Sequence, residues 1–527
     1  MLSRQHVLWH GAPTMQLTII DYTGRETTLH ASQAESHSLA QIIFTSGIVP
    51  APPLCSGLGQ CGKCRVRFVE DAPLPVGPDT LILKEQDIDA GWRLACRHQP
   101  EDGMVIEVPK TTQSRHCHIG ESDHKSLHMA VDLGTTSLHW SILDGSKKVA
   151  HGSEPNPQMG AGSEVMSRLS FAATESGREV LQELVIERLA KIIAECTENS
   201  FGTVESMSIA GNPAMTYLLL GLDTSGLATA PYSLTYEGGT VETLGNLPPA
   251  YIAPLAAPFV GGDLTAGLVA ILETKPEYPF VLADMGTNGE FILALSPDNY
   301  LVTSVALGPA LEGVGLHYGA TADTGVITSF TLSPHGLVPK VMGAKYGDGI
   351  SGTGYLSLIH ALRKINFISS DGLFNETQQA GLGKRLQERL EVRHGILHLA
   401  LPDSMYLSAE DIEEFLKVKA AFTFAFTRIL ETADISASQI QKIYLAGALG
   451  EHAEVHDLEG LGFIPAGMGS RVETVNNTSL QGAERLLIDP SLRSMAESLT
   501  ANCEAVDLTA DPDFTQTFMR HMRFTFI

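Results

Sequence analysis

The sequence predicts a multidomain α/β protein in which a small, strand-rich N-terminal domain precedes a two-lobed α/β body. Three observations carry that prediction: a length of 527 residues, four cysteines at a particular spacing within the first hundred, and a strand–Asp–Gly–Thr turn–strand pattern that occurs twice afterwards. A chain this long exceeds what one hydrophobic core organises. With 43% hydrophobic and 18% charged residues it has enough apolar surface to offset the entropy of ordering, which excludes a largely disordered protein. The 60 acidic and 35 basic side chains give a formal net charge of −25. Such a surface repels phosphate backbones and acidic lipid, so neither nucleic acid nor a membrane is expected as a partner. No apolar run approaches the roughly 20 residues of a membrane span, and the N-terminus lacks the charged-then-apolar pattern of a secretion signal. The expected location is cytoplasmic.

Residues 1–14 show no periodicity and read as a tail; 15–109 read as one small domain. Met15–Asp21 alternates as a strand and turns at Thr23-Gly24 into a second. Ser38–Phe44 has helical spacing, Cys64–Val69 alternates with period two, and Val105–Val108 closes the set. That order fits a β-grasp domain. Between its helix and third strand stands Cys55-x5-Cys61-x2-Cys64, and Cys96 follows from afar. Seven cysteines, an odd number, argue against a disulfide framework. Zinc modules pair their ligands as two short-spaced couples, whereas here three thiols crowd one loop. A 2Fe-2S cluster asks for that arrangement, with a flexible loop turning its backbone N–H groups toward the sulfurs. Gly57, Gly59 and Gly62 supply the flexibility. The first interval exceeds the plant-type spacing by one residue and resembles that of vertebrate and bacterial 2Fe-2S ferredoxins. Cys55, Cys61, Cys64 and Cys96 are thus the expected metal ligands of an electron-carrying ferredoxin-like domain.

Residues 110–126 are polar and aperiodic and read as a linker, its His116-Cys117-His118 as surface residues. Two lobes are expected beyond it, 127–275 and 276–527. Ala130-Val-Asp132-Leu-Gly134-Thr135-Thr136 in the first matches Leu282-Ala-Asp284-Met-Gly286-Thr287-Asn288-Gly289 in the second, each followed by another apolar strand. An Asp at a strand end can face a metal or a water. The following Gly lets the backbone curve so that successive N–H groups and a Thr hydroxyl cradle a phosphate. Two such turns across a cleft would hold a nucleoside triphosphate and its Mg²⁺, which needs only one or two carboxylates.

The paired turns resemble those of the acetate and sugar kinase, heat-shock chaperone and actin ATPase superfamily. The resemblance implies a two-lobed ribonuclease-H-like (actin-like) ATPase that binds ATP with Mg²⁺. Asp132 and Asp284 would be its catalytic carboxylates, with Gly134, Thr135, Thr136, Gly286, Thr287, Asn288 and Gly289 on the phosphates. The superfamily's adenosine-contacting turn is matched by Ala446, Gly447, Ala448 and Gly450, after the apolar strand Lys442–Leu445. Asp263, after Gly261-Gly262, either caps the helix that follows or stands near the attacking water. Glu312, in Gly308–Gly313, either reaches the nucleotide or belongs to a Gly-bounded turn. Gly349 and Gly352 precede the helix Tyr355–Leu362, as a phosphate-facing turn or a simple N-cap. The helices Val180–Ile193 and Ile412–Leu430 read as core, including Phe415, Phe422 and Phe426.

Over roughly residues 15–480 the chain resembles the reductive activators of corrinoid proteins. The resemblance rests on the cysteines, both aspartate turns, Gly211-Asn212-Pro-Ala-Met215, Phe259–Asp263, Gly308–Gly313, Gly349–Gly354 and Ala446–Gly450. It implies ATP-dependent reduction of cob(II)alamin to cob(I)alamin on a corrinoid protein of a methyltransferase system. Electrons would come from an upstream reductase or ferredoxin through the cluster. Some members insert a small dimerisation domain before the ATPase; the short linker here leaves monomer and weak homodimer both open. Two other classes compete: a small-molecule kinase with an appended redox domain, and a non-catalytic redox or nucleotide sensor.

Overall fold

The computed structural model describes residues 14–32, 37–52, 54–110, 115–120, 126–198, 202–312, 315–377, 381–393, 395–508 and 513–527. The expected tail falls almost wholly outside them. The chain divides into two compact units, Met1–Ile252 and Ala253–Ile527.

The first unit opens with a five-stranded sheet in the order Glu26–Ser32, Thr14–Ile20, Val105–Glu107, Arg65–Phe68, Trp92–Leu94. The alternation read in the sequence places Leu17, Ile19, Val66 and Ile106 on its covered face, all fully buried. The helix Leu39–Thr45 packs there too. Its start is set by a capping box in which the Ser38 hydroxyl accepts from the Gln41 amide and Gln41 accepts from the Ser38 amide. Met159, far along the chain, completes this core.

A seven-stranded sheet follows: Val241–Glu242, Ala250–Ile252, Thr203–Gly211, Ser126–Leu133, Ser137–Asp144, Lys147–Pro155, His116–Ile119. Ala250–Ile252, Thr203–Gly211 and Ser126–Leu133 run parallel, and the next two continue antiparallel. The last strand lies in the segment expected as linker. His116, Cys117 and His118 are exposed on it, as expected, but their backbone pairs with Ala150–Ser153. An exposed edge strand needs no apolar alternation, which is why the sequence pattern misses it.

The second unit repeats the plan. Its main sheet runs Val472–Thr474, Lys442–Ala446, Phe280–Met285, Asn288–Ser296, Asn299–Ala306, Cys503–Ala505. The first three strands are parallel and the next two antiparallel, the same five-strand arrangement as in the first unit. The echo in sequence is therefore an echo in topology. The units part at Ile252/Ala253, ahead of the expected boundary at 275/276. The reason is packing: helix Gly262–Glu273 lies on Thr478–Ile488, and a Cβ on Gly482 would collide with the Ala266 carbonyl.

The long helix Ala409–Thr432, started by a Ser408–Asp411 capping box, buries Phe415, Phe422 and Phe426 as core. Each such ring contributes roughly 1.5–3 kcal/mol relative to exposure. Glu175–Glu198 likewise buries Val180, Leu181, Val185, Leu189 and Ile192. No helix among the described residues is long and apolar enough to cross a membrane.

Candidate functional site

Cys55, Cys61, Cys64 and Cys96 converge on one cavity of about 190 Å³. Three come from the loop between the N-terminal helix and the strand Arg65–Phe68. Cys96 comes from the short turn Ala95–Arg97, whose Ala95 amide bonds the Cys64 carbonyl. The loop has no room for side chains where it closes: a Cβ on Gly59 would stand 2.9 Å from Pro78 Cβ, and one on Gly62 2.9 Å from Ile82 Cγ2. Both glycines also have positive φ, +73° and +67°. The thiols meet in pairs. A hydrogen bond from Cys61 pulls the Cys55 thiol down to about 5 and pushes Cys61 up. Cys64 and Cys96 do the same, Cys64 being raised and Cys96 lowered. Amides of Gly59, Gln60 and Cys61 bond the Cys55 sulfur, and that of Lys63 bonds Cys61. Four soft sulfur ligands with N–H groups aimed at them fit a 2Fe-2S cluster, whose binding draws all four to thiolates.

The first aspartate turn lies at the end of strand Ser126–Leu133. Asp132 is 8% exposed and sits in register with Ala210. The carbonyls of Gly134, Thr135 and Thr136 are all held from one segment of chain. Asn156 donates its side-chain amide to Gly134 O at 2.7 Å and its backbone amide to Thr136 O at 2.9 Å. Arg168 Nη2 donates to Thr135 O at 2.5 Å. Fixing a carbonyl fixes its peptide plane, and with it the direction of the N–H groups a phosphate would use. The Thr135 hydroxyl is set by Asn212, whose Nδ2 donates to Thr135 Oγ1 at 2.9 Å. Asn212 also N-caps helix Pro213–Leu220, accepting from the Met215 amide at 3.0 Å. Asn212→Ala should lose both contacts: a cap costs about 1 kcal/mol, and thermal denaturation should show a Tm lower by a few degrees. Unchanged Tm would mean the cap is not formed.

The second turn is built alike. Asp284 stands in register with Ala446, and Thr287 is buried, its carbonyl accepting from the Leu307 and Gly308 amides. Gly447, at φ +80°, brings its Cα so close that a Cβ would meet the Asp284 carboxylate and lie 2.8 Å from Met285 N. The small residues at 446–447 thus serve close approach to the aspartate turn. Gly450 packs against Leu445. The side chain of Ala448 lies outside the described residues.

The softer candidates separate. Asp263 lies in the first turn of Gly262–Glu273, behind the N-cap Gly261, and accepts from the Leu264 amide at 2.8 Å. Glu312 ends the turn Pro309–Glu312, but its side chain, and so its expected reach to a nucleotide, falls outside the described residues. Gly349 is paired in a short strand with Val326, and Ser351 caps Gly352–Lys364 by accepting from the Gly354 amide at 3.1 Å. Gly352 packs onto Leu311.

Asn156 and Arg168 are not singled out by the sequence, and Asn212 stands there only within a resemblance motif, with no role of its own. A signal exists for the last. Asn-Pro is an N-cap followed by a first-turn proline, and the preceding Ile209-Ala210-Gly211 parallels Leu445-Ala446-Gly447.

Residues 22–101 match the 2Fe-2S iron–sulfur cluster binding domain. Residues 127–273 match the RACo middle region, and 279–526 the C-terminal ASKHA domain of RACo. The corrinoid activation enzyme RamQ of Eubacterium limosum is 28% identical over 422 residues, spanning 75% of this chain and 70% of its own. The Co(II) methylated amine-specific corrinoid protein reductase of Methanosarcina barkeri is 26% identical over 427 residues, 71% of this chain and 73% of its own. The fold is that of a solved reductive activator for corrinoid, iron–sulfur protein, with TM-score 0.66 over 97% of this chain and 98% of that one at 19% identity. With both RACo regions matched in tandem behind a cluster-binding domain, the chain belongs to the family of reductive activators of corrinoid proteins.

Proposed function

We propose that the protein is an ATP-dependent activator that reduces cob(II)alamin to cob(I)alamin on a corrinoid protein of a methyltransferase system. The observation that carries this reading is the presence, within one compact unit, of a four-thiol cavity and a phosphate-type turn whose three carbonyls are locked in place. The names of the two relatives supply the class of substrate. A bound 2Fe-2S cluster supplies one-electron transfer.

The chain's own residues supply the rest. Cys55, Cys61, Cys64 and Cys96 hold the cluster, and an upstream electron donor delivers to it. Asp132 and Asp284 serve Mg²⁺, the amides and hydroxyls of 134–136 and 286–289 serve phosphate oxygens, and Ala446–Gly450 serves the nucleoside. ATP is needed when the acceptor lies below the donor in potential: ~200 mV uphill costs about 4.6 kcal/mol for one electron.

Purified holoprotein, a chemical reductant and a cob(II)alamin-loaded corrinoid protein should form cob(I)alamin, seen by its absorbance, with Mg-ATP and not without it. Formation indifferent to ATP would overturn the reading. Phosphorylation of a small molecule without redox dependence would identify a kinase instead, and nucleotide binding with no reduction a sensor.

A further inference from the structure

The segment Asn156–Phe171 touches the first phosphate turn at one set of residues and the cysteine loop at another. Toward the turn, Asn156 and Arg168 hold the carbonyls of Gly134, Thr135 and Thr136. Toward the ferredoxin-like domain the contacts are continuous. Met159 is buried in that domain's core. Gly160 backs so closely onto Phe44 that a Cβ would collide with the Phe44 carbonyl. The Ala161 carbonyl accepts from Gln41 Nε2 at 3.3 Å, and Gly160, Ala161 and Gly162 line the same cavity as the four cysteines. Ser163 donates its amide to Ser56 Oγ at 3.1 Å, and the two hydroxyls stand 3.0 Å apart. Ser56 follows Cys55 directly and has φ +48°, a left-handed conformation unusual for a residue with a Cβ. His37 stacks on Phe171 at 4.3 Å.

Arg168 joins the two ends. Its Nε donates to Gly162 O at 2.9 Å while Nη2 reaches Thr135 O, so one planar group spans from the cavity lining to the phosphate turn. The side chain is fully buried, and its described hydrogen bonds go to carbonyls and the Met215 sulfur, none to a carboxylate. Glu164, its nearest acidic neighbour in the sequence, is engaged in capping its own helix, accepting from the Met166 and Ser167 amides. Burial pulls the guanidinium down to about 9, so it still carries its proton at neutral pH. The charge of Glu164 opposes part of that shift, yet no described hydrogen bond joins the guanidinium to a carboxylate, and a buried cation so placed is costly unless something else uses its field. An anion arriving at 134–136 would do so.

We infer that Arg168 is a positioning residue that couples phosphate occupancy of the Gly134–Thr136 turn to the geometry of the cysteine loop, acting through Gly162 and the Ser163–Ser56 contact. The inference rests on the nucleotide reading above. A phosphate drawn to the turn strengthens the pull on the Arg168 fork. The rigid fork carries any movement of Thr135 O to Gly162 O, and Ser163 carries it to the residue beside Cys55. A guanidinium suits this task better than an ammonium, because its planar fork holds two acceptors in one fixed relative direction, whereas the three donors of an ammonium turn freely on a flexible stem.

The test uses full-length holoprotein with its cluster intact. Nucleotide binding is measured by calorimetry with Mg-AMP-PNP, and the cluster is read by visible circular dichroism and, after reduction, by electron paramagnetic resonance. In the wild type, saturating nucleotide should shift the cluster spectra. Arg168→Lys should bind nucleotide about tenfold more weakly and show no shift at saturation. Ser56→Ala, remote from the phosphate turn, should bind with wild-type affinity and also lose the shift. It keeps the question answerable if Arg168→Lys fails to fold. A wild type that binds nucleotide without any spectral change overturns the coupling while leaving the nucleotide reading intact. A full shift in either variant overturns the path. A wild type that binds no nucleotide overturns the nucleotide reading itself, and the coupling with it.

Discussion

Cys61→Ser should remove the visible absorption of the 2Fe-2S cluster, or reduce it to a small residue, and with it all cob(I)alamin formation. The reason lies in how the site is assembled. Cys61 is central to the three-cysteine loop, its thiol bonded to Cys55 and its sulfur approached by the Lys63 amide. Serine offers a hard oxygen on a shorter bond where the site calls for a soft thiolate. The glycines on either side leave the loop no slack to compensate, since Gly59 and Gly62 are already pressed against Pro78 and Ile82. Nucleotide binding should persist, because no described hydrogen bond of the phosphate turns involves Cys61. Iron content, visible absorption and calorimetry with Mg-AMP-PNP on the same sample check all three points. Retention of full electron delivery would remove the cluster from the proposed route.

Asp132→Ala should have the second-largest effect, a fall of at least ~10²-fold in ATP-dependent cob(I)alamin formation with the cluster spectrum unchanged. Losses of this size follow removal of one group aimed at developing charge in a water-poor site. Asp132 meets the structural condition: nearly buried at its strand end, with the following turn held by Asn156, Arg168 and Asn212. The described bonds to the carbonyls of 134–136 come from Asn156 and Arg168, so the substitution removes the carboxylate while those contacts are kept. Steady-state rates with and without Mg-ATP measure the effect. An unchanged rate would withdraw the catalytic role of Asp132. Loss of the cluster would instead show that the turn is needed for the ferredoxin-like domain to fold.

Most of the residues proposed to carry chemistry are legible in the sequence. The cysteine quartet can be read because three of the four share a loop, so spacing along the chain is spacing in space. The aspartate turns can be read because each is a strand, a tight turn and a strand, which local sequence encodes, and because the pattern recurs. The long helices Glu175–Glu198 and Ala409–Thr432 announce themselves through apolar periodicity over more than three turns. The softer carboxylates are not decided by sequence, since Asp263 after two glycines suits a helix start as well as a site. The strand His116–Ile119 is hidden because an exposed edge strand pairs through its backbone alone.

The sequence by itself determined which residues are the candidates for a cluster and which turns the candidates for a phosphate, because side-chain type and local spacing select them. Only the tertiary structure decided that both features are reached by the segment Asn156–Phe171. The bonds that make that connection end on carbonyls of Gly134, Thr135, Thr136 and Gly162. Every residue owns a carbonyl, so an acceptor of this kind leaves no mark in the sequence. What selects it is the fold, which brings a buried arginine within reach of two carbonyls 27 residues apart in the chain (162 − 135).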